Sequence, residues 1–345
     1  MPRRPDVGGL EGVLVVVKPA GPTSHDVVAL VRRLSGTRRI GHGGTLDPFA
    51  SGVLPLFLGG ATRLVEYHLG DRKAYRATIC FGASSPTDDL DGELIPVEGP
   101  PIEATALETA LGEFRGEIRQ RPPDYSAIQV QGRRAYALAR AGSPADLPER
   151  IVTIFNLELV AWNSDDPGRP IAVVDVECSA GTYIRALARD LGRAVGSAAY
   201  LGALTRTASG PFRLQDGVQL ERLRAAAAEG PDGLRPFLMP ADAGLEELPS
   251  VRLTPDELRD AAMGRFVRPM AGVTGLPAER PIRLLDEAGR IAGIGTLDGR
   301  RIAPAKMLGV RAAEMAGRAA DGGAADTAAD DMPGREPRPI RAGDG

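Results

Sequence analysis

Apolar residues run without interruption over residues 12–17 and stop at Lys18-Pro19-Ala20-Gly21-Pro22, which predicts a buried strand closed by a turn. Thr23 or Ser24 then stands where a helix N-cap is needed, ahead of Val27, Val28, Leu30, Val31 and Leu34 at helical spacing. Alternation over residues 74–81 predicts another strand, and residues 104–114 place Leu107, Ala110, Leu111 and Phe114 on one helical face. Arg121-Pro122-Pro123 breaks the pattern within an excursion over residues 119–150 that carries Pro, Arg and Tyr; strands resume at 151–161 and 171–178. A segment of that length between strands is a binding loop or a flexible insert, and its length favours function. Residues 181–192 predict a helix on which Tyr183, Arg185 and Arg189 mix with Ile184, Leu187, Ala188 and Leu191.

The texture changes past Pro240. A short helix over 254–263 and strands over 282–286 and 291–297 predict a small β-rich second domain spanning residues 245–311. Residues 1–11 are expected to form a flexible N-terminus. Residues 314–345 hold almost no large apolar side chains, cannot offset their ordering entropy by burial, and are expected to be a disordered tail. Residues 12–240 then form one catalytic-sized domain of interleaved strands and helices, which periodicity leaves open between α+β and mixed α/β.

A chain of 345 residues with 43% hydrophobic and 25% charged content fits an ordinary globular protein of one large and one small domain. No apolar run approaches the roughly 20 residues that span a bilayer, and residues 1–12 lack the apolar core of a secretory signal, so a cytoplasmic location is expected. Cys80 and Cys178 sit in apolar or strand-like runs and read as reduced thiols. Two cysteines and three unclustered histidines predict no metal site.

The net charge of −3 argues at first against a nucleic-acid partner. Its distribution changes that picture: residues 319–345 hold six acids against three arginines and account for all of it. Residues 1–76 carry eleven basic against six acidic side chains, and residues 178–213 five arginines against Asp190 alone, so a basic face is available. The excess of 39 arginines over three lysines suits bidentate phosphate binding, although the abundance of Ala, Gly and Pro points equally to a GC-rich genome.

The densest chemical signal is Gly41-His42-Gly43-Gly44-Thr45-Leu46-Asp47-Pro48, continuing to Gly52. Three glycines before one acid and a proline predict tight, φ-positive backbone around a single carboxylate. Local features fit two readings: a structural turn acid, or a carboxylate presented for catalysis.

Lys18-Pro-Ala-Gly-Pro-Thr-Ser24, Gly41-His-Gly-Gly-Thr-Leu-Asp-Pro48, Lys73-Ala-Tyr75, Pro122-Pro-Asp-Tyr-Ser126-Ala, Gly181-Thr-Tyr-Ile-Arg185 and Asp190-Leu-Gly192 follow one another in an order that resembles the TruB family of tRNA pseudouridine synthases. The likeness runs over residues 12–212, and residues 248–304 resemble the family's PUA-like C-terminal module. It implies an α+β fold with a mixed, mainly antiparallel sheet flanked by helices. It also implies a cofactor-free isomerisation of uridine 55 in the T loop of tRNA, by a monomer needing neither guide RNA nor membrane. Asp47 matches the family's catalytic aspartate, for which attack on ribose C1′, elimination to a glycal and addition to uracil C6 all stand open. Arg185 matches the arginine that pairs with it, and a guanidinium beside a carboxylate favours the ionised form and fixes its orientation. Tyr75 matches the tyrosine that stacks on the extruded base, His42 the residue that fills the gap it leaves, and Leu204 an apolar wall of the base pocket. The resemblance also assigns Lys18 and Tyr183 to substrate binding. It gives RNA contacts to Arg63 and, with Arg134 and Tyr136, to Tyr125 and Arg133 of the 119–150 insert.

Three positions depart from the family pattern: Gly43 replaces a usual Thr, Gln129 stands where Lys is common, and Thr205 interrupts a Leu-Arg-Arg run. None touches Asp47, Tyr75 or Arg185. The competing classes are a guide-RNA-dependent synthase, disfavoured by the insert and short C-terminal module; an inert RNA-binding scaffold, disfavoured by the intact triad; and a glycosidase, which needs two facing carboxylates where the motif offers one.

Overall fold

A computed structural model describes residues 9–309 apart from 131 and 279. Most of the expected N-terminal flexible segment and all of the expected 314–345 tail therefore lie outside the described residues. The main sheet contains β1 (Gly12–Lys18), β2 (Ile40–His42), β3 (Ser51–Leu58), β4 (Lys73–Phe81), β5 (Gly116–Gln120), β6 (Arg150–Asn163), β7 (Ile171–Cys178), β8 (Ala199–Ser209) and β9 (Val218–Gln219). Its order is β9-β1-β3-β8-β4-β7-β6-β5, with β2 added beside β3. The β9–β1 and β3–β8 pairs are parallel and the other neighbours along this path antiparallel, so the sheet is mixed and mainly antiparallel. The class is α+β.

The unbroken apolar run of β1 follows from burial on both faces. Leu14 and Val16 point with Leu54, Leu56 and Leu58 of β3 toward α1 (Ser24–Ser35), whose Val27, Val28 and Val31 meet them. Val13 and Val15 point the other way, with Val53 and Phe57, onto Ile291, Ile294 and Leu308 of the C-terminal module. Helix α1 starts at Thr23, which forms a reciprocal capping box with Asp26, and stops at Gly36 with φ 65°.

In the other half of the sheet only one face is deeply buried. Ala77, Ile79 and Phe81 of β4 and Ala172, Val174 and Val176 of β7 pack under α2 (Ala104–Glu113) and the helix Ile184–Ala194. The opposite face carries Arg76 bound bidentately to Asp175 at 2.7 and 2.8 Å. Cys178 is buried and Cys80 half-buried, both as free thiols. The 119–150 excursion is more regular than a loop. It contains the end of β5, a hairpin pairing Gln129–Val130 with Arg133–Arg134, and the helix α3 (Ala135–Arg140); the helix Ile184–Ala194 is therefore α4. The small module is a four-stranded sheet, β10 (Ser250–Arg252), β11 (Ile282–Leu285), β12 (Ile291–Asp298) and β13 (Arg301–Met307), packed against the helix Pro255–Ala262.

Candidate active site

The parallel β3–β8 seam brings distant residues together. Arg206 of β8 is level with Gly52 of β3 on one side and with Tyr75 of β4 on the other. The loop leading into β3 carries Asp47 over this seam, and the N-terminus of α4 carries Arg185 to it. They line one cavity of about 900 Å³, with Gly44, Thr45, Leu46, Lys73, Asp89, Tyr125, Tyr183 and Leu204 also in its wall. That size is within the range of small-ligand sites.

Three buried groups fix the backbone on either side of Asp47. Ser24 Oγ donates to the Leu46 carbonyl at 3.0 Å and accepts from the Leu46 amide at 2.9 Å. Lys18 Nζ donates to the carbonyls of Pro48, Pro19 and Pro22 at 3.1, 2.9 and 2.8 Å. Arg206 donates to the carbonyls of Gly44 at 3.1 Å, Thr45 at 3.3 Å and Val53 at 2.8 Å. With its neighbours held, Asp47 presents only a carboxylate, and that side chain is 38% exposed. The glycines divide the work unevenly. Gly44 (φ 127°) and Gly52 (φ 108°) have the φ-positive backbone, and a Cβ on Gly52 would lie 2.2 Å from the Arg206 carbonyl oxygen. Gly43 is outside that region; a Cβ there would meet Phe57 at 3.2 Å.

Arg185 is the electrostatic centre. Its Nη2 lies 3.0 Å from Asp47 Oδ2 and donates to the Tyr125 carbonyl at 3.1 Å; its Nη1 lies 3.2 Å from Asp89 Oδ2 and donates to the Thr87 carbonyl at 3.1 Å. The Arg185 and Asp89 side chains are 8% and 3% exposed, so the guanidinium is held from behind by a buried acid while its front faces the exposed one. This geometry orients Asp47 with little freedom.

Tyr75 is half-buried in the cavity wall, and burial pushes its phenol above the usual range against the opposing field of Arg206. It is a neutral hydroxyl at physiological pH. Burial likewise pulls the Arg206 guanidinium down, with the Tyr75 side chain opposing. Tyr183 is set by Gln120, whose amide accepts from the Tyr183 N–H at 2.8 Å and donates to its carbonyl at 3.1 Å, while Arg150 lies over its ring at 5.5 Å. His42 stands on β2 with its ring edge-on to His25 at 5.6 Å; burial lowers its pKa, keeping the imidazole neutral. Arg133 is exposed on the hairpin, and Tyr136 and Arg140 of α3 reach the cavity wall.

Two of the assigned residues take partners within the protein. Lys18, assigned to substrate binding by the resemblance, is fully buried with its ammonium on three carbonyls, where it braces the Asp47 loop. Burial pulls it down to about 8, against the raising effect of Asp47. Arg63 is exposed outside the cavity wall, and its guanidinium donates to the Met307 carbonyl of the small module. Asp89 and Arg206 were missed. Asp89 sits in a polar turn with no pattern of its own, and Arg206 stands alone between Thr205 and Thr207 with no motif around it. Among the described residues no cluster of His, Cys, Asp or Glu is arranged to hold a metal.

Residues 32–184 match the model of the TruB family pseudouridylate synthase N-terminal domain, and residues 185–246 that of the tRNA pseudouridylate synthase B C-terminal domain. The chain belongs to the TruB family. Relatives named tRNA pseudouridine synthase B agree. The one from Synechococcus sp. strain WH7803 is 46% identical over 84% of this chain and 94% of its own length, and that from Pseudomonas aeruginosa strain UCBPP-PA14 is 40% identical over 87% and 96%. Among solved structures, a chain of an H/ACA RNP bound to a substrate RNA containing 2′-deoxyuridine shares the fold, with a TM-score of 0.64 at 24% identity over 87% of this chain and 86% of that one. The TruB chain is thus a pseudouridine synthase, an isomerase acting on RNA. Its two family models end at residue 246, ahead of the four-stranded module.

Proposed function

We propose that this protein converts uridine 55 in the T loop of tRNA to pseudouridine, acting in the cytoplasm as a monomer without guide RNA or cofactor. The observation that carries the reading is the exposed Asp47 carboxylate held at 3.0 Å by a buried guanidinium in a cavity walled by Tyr75 and Leu204. The relatives' names supply tRNA as the substrate class.

The isomerisation balances within the nucleotide. The N1–C1′ bond breaks, a C5–C1′ bond forms, C5 loses its hydrogen as a proton and N1 gains one. No oxidant or co-substrate is consumed. A uridine stacked inside a folded loop cannot bring its glycosidic bond to a carboxylate in a cavity wall, so it must be extruded into the cavity. Tyr75 offers a ring for stacking and a neutral hydroxyl that can donate or accept a proton. His42, uncharged beside the loop, is suited to fill the space the base leaves. Asp47 acts as the nucleophile at C1′ or at C6, or as the base that takes the ribose proton in a glycal route, and Arg185 keeps it oriented throughout. The insert, with Tyr125 and Arg133, and the small PUA-like module supply stacking and phosphate contacts to the tRNA.

The test is to incubate purified protein with an unmodified tRNA transcript and map pseudouridine. Product at position 55, abolished by a U-to-C change there, is expected. No product without an added RNA or protein partner, or product only at another position, would overturn the proposal.

A further inference from the structure

Helix α4 carries arginines at 185, 189 and 193, one turn apart, and the chemistry above uses only the first. Arg189 has a side chain 16% exposed; its Nη1 donates to Asp88 Oδ2 and its Nη2 to the Arg121 carbonyl, both at 2.8 Å, while Nε donates to Asp190 at 2.9 Å. Arg185 makes two corresponding contacts one turn earlier, with Asp89 and the Tyr125 carbonyl. Two adjacent acids on one loop, and two carbonyls four residues apart on the insert, therefore meet two guanidiniums four residues apart on one helix.

Adjacent side chains reach the same helix only if the loop turns sharply between them. Asp88 makes that turn with φ 60°, the one positive φ outside glycine among the described residues. Such a backbone costs about 1–2 kcal/mol for a residue with a side chain, least for Asn and Asp. The Leu201 amide donates to the Asp88 carbonyl at 3.0 Å and ties the turn to β8. A buried ion pair gives little net stability, because desolvation offsets its attraction. Burial in fact pushes the Asp88 carboxyl up to about 6, with Arg189 and Arg185 opposing and Asp190 adding to the rise.

We infer that the Asp88–Arg189 pair is a positioning device for the isomerisation: it registers the acidic loop and the insert on α4 so that Asp89 and the Tyr125 carbonyl hold Arg185 against Asp47. Neither residue touches the reacting atoms; both act through Arg185. The inference rests on the tRNA-isomerase reading above.

The experiment compares the parent with Asp88→Asn, Arg189→Gln, the double variant and Arg189→Lys. Asn keeps the size of Asp and tolerates the positive φ while losing the charge. Tritium release from [5-³H]uridine-labelled tRNA gives kcat and KM, and thermal melts give folded-state stability. Each of the first two variants is expected to lower kcat about tenfold, equivalent to about 1.4 kcal/mol, with KM within about twofold. The double variant should be no slower than the slower single, and Arg189→Lys should recover part of the loss. Either single variant within about twofold of the parent, effects that multiply in the double variant, or losses that track a collapse in melting temperature would overturn the role. An active parent with unaffected variants removes the pair alone; a parent inactive on tRNA removes the functional reading and the pair's role with it.

Discussion

Replacing Arg206 with Met removes the group that holds the approach to Asp47 while keeping a side chain of similar reach. Arg206 is 1% exposed and has no carboxylate partner among its hydrogen bonds; it serves the carbonyls of Val53, Gly44 and Thr45 at 2.8, 3.1 and 3.3 Å. Leaving a buried carbonyl unsatisfied costs about 1–3 kcal/mol. Only Val53 belongs to the sheet interior; Gly44 and Thr45 line the cavity and regain water. Relief of a desolvated cation offsets part of that cost, so the net loss of stability should not exceed about 1–3 kcal/mol. The kinetic effect should be larger. Ser24 and Lys18 still hold Leu46 and Pro48, but the two carbonyls before them come free, and a shift of about 1 Å at a reacting group costs about 100-fold in rate. We expect kcat for tritium release from labelled tRNA to fall about 10- to 100-fold, with KM nearly unchanged and a melting temperature a few degrees lower. A folded Arg206→Met enzyme with kcat within about threefold of the parent would refute the bracing role.

Other substitutions test the same construction. Gly52→Ala puts a Cβ 2.2 Å from the Arg206 carbonyl oxygen at φ 108°, so melts should show destabilisation of more than about 3 kcal/mol. Asp89→Asn removes the buried charge behind Arg185 and should cut kcat about tenfold or more while tRNA binding by filter retention stays within a few fold. For Lys18 the sign separates rate from stability. The ammonium is lost as pH rises through about 8, and a neutral amine donates to two carbonyls rather than three, so kcat should decline on the alkaline side. Over about pH 8–10.5 the unfolded chain keeps a proton that the folded one has released, so this group's contribution to stability grows with pH. Lys18→Met should show neither trend.

What the sequence disclosed follows from the range of each interaction. The buried run of β1, the Thr23 cap and the faces of α2 and α4 are local and were readable from spacing. Asp47, Tyr75 and Arg185 were legible through ordered motifs, because a glycine-rich turn beside one acid is ambiguous by itself. Asp89 and Arg206 were not: their decisive partners are 96 and more than 150 residues away, across the β3–β8 seam and the α4 terminus. The burial of Lys18 was not readable either, because nothing local to the Lys-Pro-Ala-Gly-Pro turn shows that the ammonium turns inward onto three carbonyls. The 119–150 segment looked irregular because its hairpin strands are two residues each and α3 has six, too short for periodicity to register.

In the proposed reaction Asp47 is the group that acts on the nucleotide, and its neighbours serve to present it. Asp47→Asn keeps the size of the side chain and the braced backbone while removing the charge. Incubated with an unmodified tRNA transcript and mapped for pseudouridine, this variant should bind tRNA within a few fold of the parent and yield no pseudouridine even after prolonged single-turnover reaction. Product formed at a rate near the parent's would remove Asp47 from the reaction.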